Sequence, residues 1–302
     1  MSTFPCHAVG RAASPGRRFS GPALEKGPGT QDSPVMAGAP NNTSEAASAA
    51  AATTTDTLYD GSVSLRQPAR GYRVNVDALL LADFAADGRR ADLAVDLGAG
   101  VGSVALGLHH LGAAARFALV EREASLLALA DENARAAGLM SQGFCRDLTL
   151  GLPEALRQAA DLVVANPPFF DPENSRQGPH AEKTRARFGD LAPFVAAAAA
   201  ALSGARSRVA FVYPARELSH FIACAHRVNL VPKRLRLVHA DASSPARVAL
   251  LELRRAKPGG LEISPPLFEW SEKGVRTSEL VRILAGKSQS LASADEKASD
   301  RK

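Results

Sequence analysis

Leu93-Ala94-Val95-Asp96-Leu97-Gly98-Ala99-Gly100-Val101-Gly102 is the stretch that decides the fold. Leu93 to Leu97 is a short apolar run, the pattern of a strand covered on both faces. Gly98, Gly100 and Gly102 follow at alternate positions, and Val104 to Leu111 reads as a helix. Glycine permits the tight turn and lets backbone N–H groups approach a ligand. A strand passing through a glycine turn into a helix is the opening unit of an α/β sheet. The spacing is GxGxG with an acid, Asp96, two residues ahead. A dinucleotide fingerprint would place a glycine where Ser103 stands.

Working outward, strands and helices alternate. Arg116 to Val120 reads as a strand and Glu123 to Ala137 as a helix stopped by Gly138. A third short strand lies around Phe144-Cys145, and Leu162 to Ala165 is a buried fourth, ended by Pro167-Pro168. An alanine-rich helix spans Leu191 to Leu202. It is followed by a strand, Val209 to Tyr213, and a helix, Glu217 to Arg227. Arg234 to His239 and Arg247 to Leu253 are strands with no helix between them, so they should pair antiparallel. Upstream, Ala78 to Phe84 reads as a helix capped by Asp77. The expected fold is α/β and Rossmann-like: a mostly parallel, seven-stranded sheet with an antiparallel last pair of strands. In such sheets the ligand sits at the carboxyl ends of the strands, where the strand order reverses.

The ends of the chain are different. Residues 1–57 are rich in Ala, Ser, Thr, Gly and Pro and hold almost no large apolar side chains. They cannot offset the entropy of ordering, and 1–57 is expected to be a disordered tail, as is polar 287–302. The domain is then 58–286. No apolar run reaches the ~18 residues of a membrane span, and the N-terminus lacks the apolar region of a secretory signal. Cys6, Cys145 and Cys224 lie far apart, and His109, His110, His226 and His239 lack metal-ligand spacing. A cytoplasmic protein without a structural metal or disulfide is expected. Net charge is +5. Residues 1–57 carry four basic and four acidic side chains, so the excess belongs to the domain.

The residues just after the strands carry the chemistry. Glu121 ends the second strand, where a carboxylate can accept both ribose hydroxyls of an adenosine cofactor. Alone it would be a solvated strand-end charge; beside the glycine loop the ribose contact is the better reading. Asp147 follows the third strand. It either meets an adenine edge or serves as an Asx-type turn residue, and the sequence leaves both open. A sulfonium cofactor with a zwitterionic amino acid end favours an acid at the loop. Asp96 therefore points to S-adenosyl-L-methionine rather than NAD, and Asp-x-Gly-x-Gly resembles the first motif of the class I methyltransferases.

Asn166-Pro167-Pro168-Phe169 ends the fourth strand. Two prolines remove two N–H donors and fix φ, holding the carbonyl groups of the turn stiffly. An exocyclic amine on a nucleobase is a poor nucleophile because its lone pair is delocalised. Asn166 Oδ1 and the Pro167 carbonyl can each accept one N–H, drawing the nitrogen towards tetrahedral geometry and freeing the lone pair. Phe169 would stack on a base that is flipped out or already single-stranded.

Asn-Pro-Pro-aromatic resembles the catalytic motif of methyltransferases acting on adenine N6, guanine N2 or glutamine amide. More narrowly, the chain resembles the bacterial valine-tRNA adenine N6-methyltransferase family. The resemblance covers about 60–286. It runs through Gly71 to Ala82, Asp96 to Gly102, Asn166 to Phe170, Val212 to Leu218, Pro232 to Arg236 and Pro265-Pro266-Leu267. It implies Asn166, Pro167, Pro168 and Phe169 as the catalytic turn. Glu121 becomes the ribose ligand, and Asp96 with Gly98, Gly100 and Gly102 the methionine end of the site. Family members often carry Ala-Arg-His-Glu where this chain has Ala186-Arg187-Phe188-Gly189, a departure on the substrate side.

An RNA partner, tRNA above all, follows from the resemblance. Two basic groups are compatible with it: Arg176, Lys183, Arg185 and Arg187 after the catalytic turn, and Arg227, Lys233, Arg234, Arg236, Arg254, Arg255 and Lys257 further on. The rival readings are a guanine N2-methyltransferase of ribosomal RNA, a glutamine methyltransferase of a protein factor, and a non-catalytic RNA-binding module.

Overall fold

The computed structural model describes residues 52–70, 73–168, 191–272 and 274–287. It begins with a hairpin of β1 (Thr53–Leu58) and β2 (Val63–Pro68), followed by helix α1 (Val76–Ala85). The alternating core then runs β3 (Ala91–Leu97), α2 (Ser103–His110), β4 (Ala114–Glu121), α3 (Ala124–Ala136), β5 (Ser141–Cys145) and β6 (Leu162–Ala165). It continues with α4 (Leu191–Ala201), β7 (Arg208–Pro214), α5 (Leu218–Arg227), β8 (Val231–His239) and β9 (Ala246–Arg254).

The long strands lie in the order β8-β9-β7-β6-β3-β4-β5. β3, β4, β5, β6 and β7 are mutually parallel, and β9 is inserted antiparallel between β7 and β8. The expected antiparallel pair is therefore present. Short β10 (Glu262–Ile263) and β11 (Leu267–Phe268) pair parallel with β8 and widen the described sheet to nine strands. A further hairpin, β12 (Trp270–Glu272) with β13 (Val275–Arg276), leads into α6 (Ser278–Leu284).

The burial of β6 explains its uninterrupted apolar sequence. Leu162 and Val164 face one core layer with Leu80, Leu81 and Leu106 from α1 and α2. Val163 and Ala165 face the other with Phe211, Phe221 and the alanines of α4. A strand covered on both faces cannot alternate polar and apolar residues. Strand order reverses between β3 and β6, so a crevice opens there at their carboxyl ends.

Three readings need correction. β1 starts at Thr53, inside the stretch 1–57 expected to be a tail. Val63, Leu65 and Gln67 of β2 are buried and alternate with exposed neighbours, and backbone pairing to β2 holds Thr53 to Leu58. Asp77 is not the cap of α1: Asn75 occupies that position, and Asp77 lies in the first turn, 2% exposed. There it pairs with Arg247 at 2.7 Å, an interaction from the far end of the domain that outweighs the local capping preference.

The third concerns the later basic group, which lies away from the carboxyl edge. Lys233 and Arg234 open β8 and Arg254 closes antiparallel β9, so they stand at the amino edge of the sheet. Arg234 and Arg254 both pair with buried Glu252, and the Arg234 guanidinium also lies 4.1 Å from the Phe84 ring centroid. Arg236 pairs with Glu279 at 2.8 Å, and Arg255 donates to the Ala199 carbonyl. These are internal contacts, and charge committed to them offers little to phosphates. The other basic group, with Phe169, lies outside the described residues.

Candidate active site

The glycine loop folds back over the end of β4. Gly98 and Ala99 both donate to the Val120 carbonyl, at 2.8 and 3.0 Å, and Gly102 donates to Ala99 O. Gly98, Gly100 and Gly102 all take left-handed φ, at 71°, 56° and 85°. Any other residue there would be strained. At Gly98 space is limited as well, because an added Cβ would lie 2.9 Å from Cε1 of Phe194 in α4.

Two acids sit beneath this loop. Asp96 is 1% exposed, and its Oδ2 accepts from Ala105 N at 3.2 Å, at the start of α2. Burial pushes its carboxyl up to about 7; the Ala105 hydrogen bond opposes the rise and the neighbouring Glu121 charge adds to it. Glu121 Oε2 accepts from Gly100 N at 2.9 Å, and Oε1 accepts from Arg122 N and Glu123 N at 2.8 and 3.0 Å. A carboxylate offers about four acceptor positions. Backbone donors fill most of these on Glu121, and Oε2 keeps capacity for a further hydroxyl.

Asp147 sits just past β5, and its Oδ1 accepts from Thr149 N at 2.9 Å and Thr149 Oγ1 at 2.7 Å. These Thr149 bonds hold its carboxyl below the usual range. This is the Asx-type geometry, which anchors the turn that follows.

Asn166, Pro167 and Pro168 continue directly from β6. Ala165 is the register partner of Leu97, so Asn166 and Gly98 leave adjacent strands side by side, about 5 Å apart by strand spacing. Asn166 is half-buried, Pro167 buried and Pro168 exposed. The structure thus brings Asp96, the glycine loop, Glu121 and the Asn166 turn to one end of one crevice, with Asp147 beyond β5.

Asn133 is a side chain that supports the site and that the sequence pattern does not single out. Buried in α3, it donates to the carbonyls of Val101 and Arg66, both at 2.9 Å, and accepts from Arg66 N at 2.7 Å. It ties the glycine loop to β2. The signal was available: Asn133 lies on the same helical face as buried Leu127, Ala130 and Ala134, and a polar group there needs partners.

This donor set fits an adenosylated sulfonium. A buried acid suits a cation, a strand-end carboxylate suits a sugar hydroxyl, and a left-handed glycine turn leaves room for a ligand against backbone.

A family model described as the methyltransferase small domain matches residues 75–182. The tRNA1(Val) (adenine(37)-N6)-methyltransferase of Flavobacterium johnsoniae is 28% identical over 225 residues, covering 73% of this chain and 94% of that one. The protein of the same name from Porphyromonas gingivalis is also 28% identical, over 67% of this chain and 82% of its own. In fold, the chain is similar to the crystal structure of a predicted O-methyltransferase from Agrobacterium tumefaciens. The TM-score is 0.56 at 19% identity, over 70% of this chain and 97% of that one. With its strand order and the glycine loop at the switch point, the chain is a class I, S-adenosyl-L-methionine-dependent methyltransferase. Within that class the chain is similar to the curated tRNA1(Val) (adenine(37)-N6)-methyltransferases, at 27–28% identity over 64–73% of its length.

Proposed function

We propose that this protein methylates the exocyclic N6 of an adenine in tRNA, the adenine beside the anticodon of valine tRNA, in the cytoplasm. The observation that carries the reading is the Asn166-Pro167-Pro168 turn leaving β6 beside the glycine loop, with Asp96 and Glu121 beneath that loop. The curated relatives named for this reaction support the choice of base and RNA.

S-adenosyl-L-methionine supplies an electrophilic methyl group on a sulfonium. Asp96 and the loop backbone would hold its methionine end, Glu121 would take a ribose hydroxyl, and Asp147 would face the adenine side. Asn166 Oδ1 and the Pro167 carbonyl accept the two N–H groups of the target amine, and Phe169 stacks on its ring. The prolines keep the two acceptors fixed, so little reorganisation is required as positive charge grows on the nitrogen. The proton leaves after transfer, so no side chain has to act as a base beforehand.

The test uses labelled S-adenosyl-L-methionine, tRNA from cells lacking the gene, and mass spectrometry of the product nucleosides. N6-methyladenosine is expected. Asn166→Ala should lower kcat by about 100-fold or more and leave cofactor affinity within about twofold. Label found in N2-methylguanosine or in protein would redirect the assignment, and full turnover by Asn166→Ala would remove the mechanism.

A further inference from the structure

We infer that Trp270, backed by Arg276, is a stacking platform for an unpaired nucleotide a few positions from the methylated base. The inference rests on the proposed RNA substrate and extends it to residues outside the family motifs. Trp270 and Arg276 are register partners in the β12–β13 hairpin, with the Arg276 guanidinium 5.7 Å from the indole centroid. Trp270 is half-buried and Arg276 exposed. Among the described residues no carboxylate forms an ion pair with Arg276, so its charge remains available to a phosphate.

The hairpin is fastened at the carboxyl edge of the sheet. Trp270 N donates to Ala240 O at 2.8 Å and Glu269 N to His239 O at 2.9 Å, just past the end of β8. Behind it, Thr277 Oγ1 donates to Phe268 O at 2.6 Å and also caps α6. These bonds fix the backbone from which the indole projects.

Both side chains line a cleft of about 950 Å³ that also includes Arg73, Asn75 and Arg247. Arg247 joins β9 beside the end of β7, since Val248 is the partner of Pro214. β7 neighbours β6, so the Arg247 wall lies two strands from β6, and Trp270, which follows β11 on the far side of β8, stands four strands, about 19 Å, away. That separation is spanned by a few nucleotides of an unpaired strand. The other arginines at the cleft are matched by acids: Arg247 bridges Asp77 and Glu269, both at 2.7 Å, and Arg73 pairs with Asp56. These pairs shape the walls, leaving the aromatic face and the Arg276 cation as the recognition elements. An aromatic ring beside an arginine, open to solvent near a site for an unpaired base, is the chemistry that holds single-stranded RNA.

Trp270 is the only tryptophan in the chain, so its emission reports on the platform directly. The full-length protein is titrated with the anticodon stem-loop of valine tRNA, and binding is followed in parallel by anisotropy of labelled RNA. Quenching of Trp270 emission that tracks binding is expected. Trp270→Ala should weaken RNA binding about 5- to 100-fold, with the loss falling on KM for RNA rather than on kcat. Trp270→Phe should restore most of the affinity, and Arg276→Gln should show a smaller loss with a shallower salt dependence. RNA binding without a change in emission, unaltered affinity in both Trp270→Ala and Arg276→Gln, or quenching by a glutamine-bearing peptide and not by RNA would overturn the inference. Methyl transfer by the wild type is scored separately. Transfer to adenine with an unaffected Trp270→Ala sinks the platform alone. Quenching by RNA without adenine methylation keeps the platform and sinks the reaction.

Discussion

Asp96→Asn is expected to stabilise the cofactor-free protein at neutral pH while weakening its cofactor binding. The carboxyl is 1% exposed and its titration is raised from 3.8 to about 7, first by burial and then by the charge of Glu121. A carboxyl raised on folding binds its proton more tightly in the native state, so its contribution is intact below pH 3.8 and is lost as pH rises towards 7. At about 1.4 kcal/mol per pH unit, the loss reaches about 4 kcal/mol and is flat above pH 7. Asparagine can still accept the Ala105 N–H through its amide oxygen but carries no charge to desolvate. Urea unfolding of both proteins without cofactor, from pH 5 to pH 8, should show the variant gaining on the wild type until pH 7 and then running parallel to it. Calorimetric titration with S-adenosyl-L-methionine should show the converse. Wild-type affinity rises between pH 6 and pH 8 as the carboxylate forms, while the variant binds weakly with no such rise. A stability difference independent of pH, or equal cofactor affinity in the two proteins, would refute the assignment of a costly buried acid held for a cationic ligand.

Gly98→Ala should destabilise the fold by about 2 kcal/mol, from a left-handed φ of 71° and the Phe194 ring beside the new Cβ. Adding Phe194→Leu should relieve the contact and not the strain, so urea midpoints of the single and double variants separate the two terms. Glu121→Gln leaves one acceptor oxygen where the carboxylate now serves three backbone donors. A loss of about 1–3 kcal/mol in stability is expected by denaturation, together with weaker cofactor binding by calorimetry.

Much of the fold was legible because local rules and the tertiary structure agree. The two-sided burial of β6 is written as Leu162-Val163-Val164-Ala165, and the glycine turn announces a strand passing into a helix. The β1–β2 hairpin is hard to read because the alanine-rich run up to Ala52 hides where β1 begins at Thr53. Its own signals were nonetheless present: Asp60-Gly61 takes left-handed φ at both positions, and Val63, Leu65 and Gln67 alternate with polar residues. Asp77 and the later arginines failed for another reason. Their roles depend on partners far away in sequence, Arg247 for Asp77 and Glu252 for Arg234 and Arg254.

The same distinction runs through the site. Asp96, Gly98, Glu121 and Asn166 are legible as candidates because each stands at or just past a strand end, where a parallel sheet has to place its ligand. Asn133, Arg247 and Trp270 occupy ordinary positions in sequence, and only packing gives them their partners: Asn133 under the glycine loop, Arg247 and Trp270 at the separate cleft beside β12 and β13. Chemistry that recurs across a fold sits at positions the fold dictates. The strand-end residues carry the proposed methyl transfer, whereas the proposed RNA contact at Trp270 and Arg276 lies in no motif.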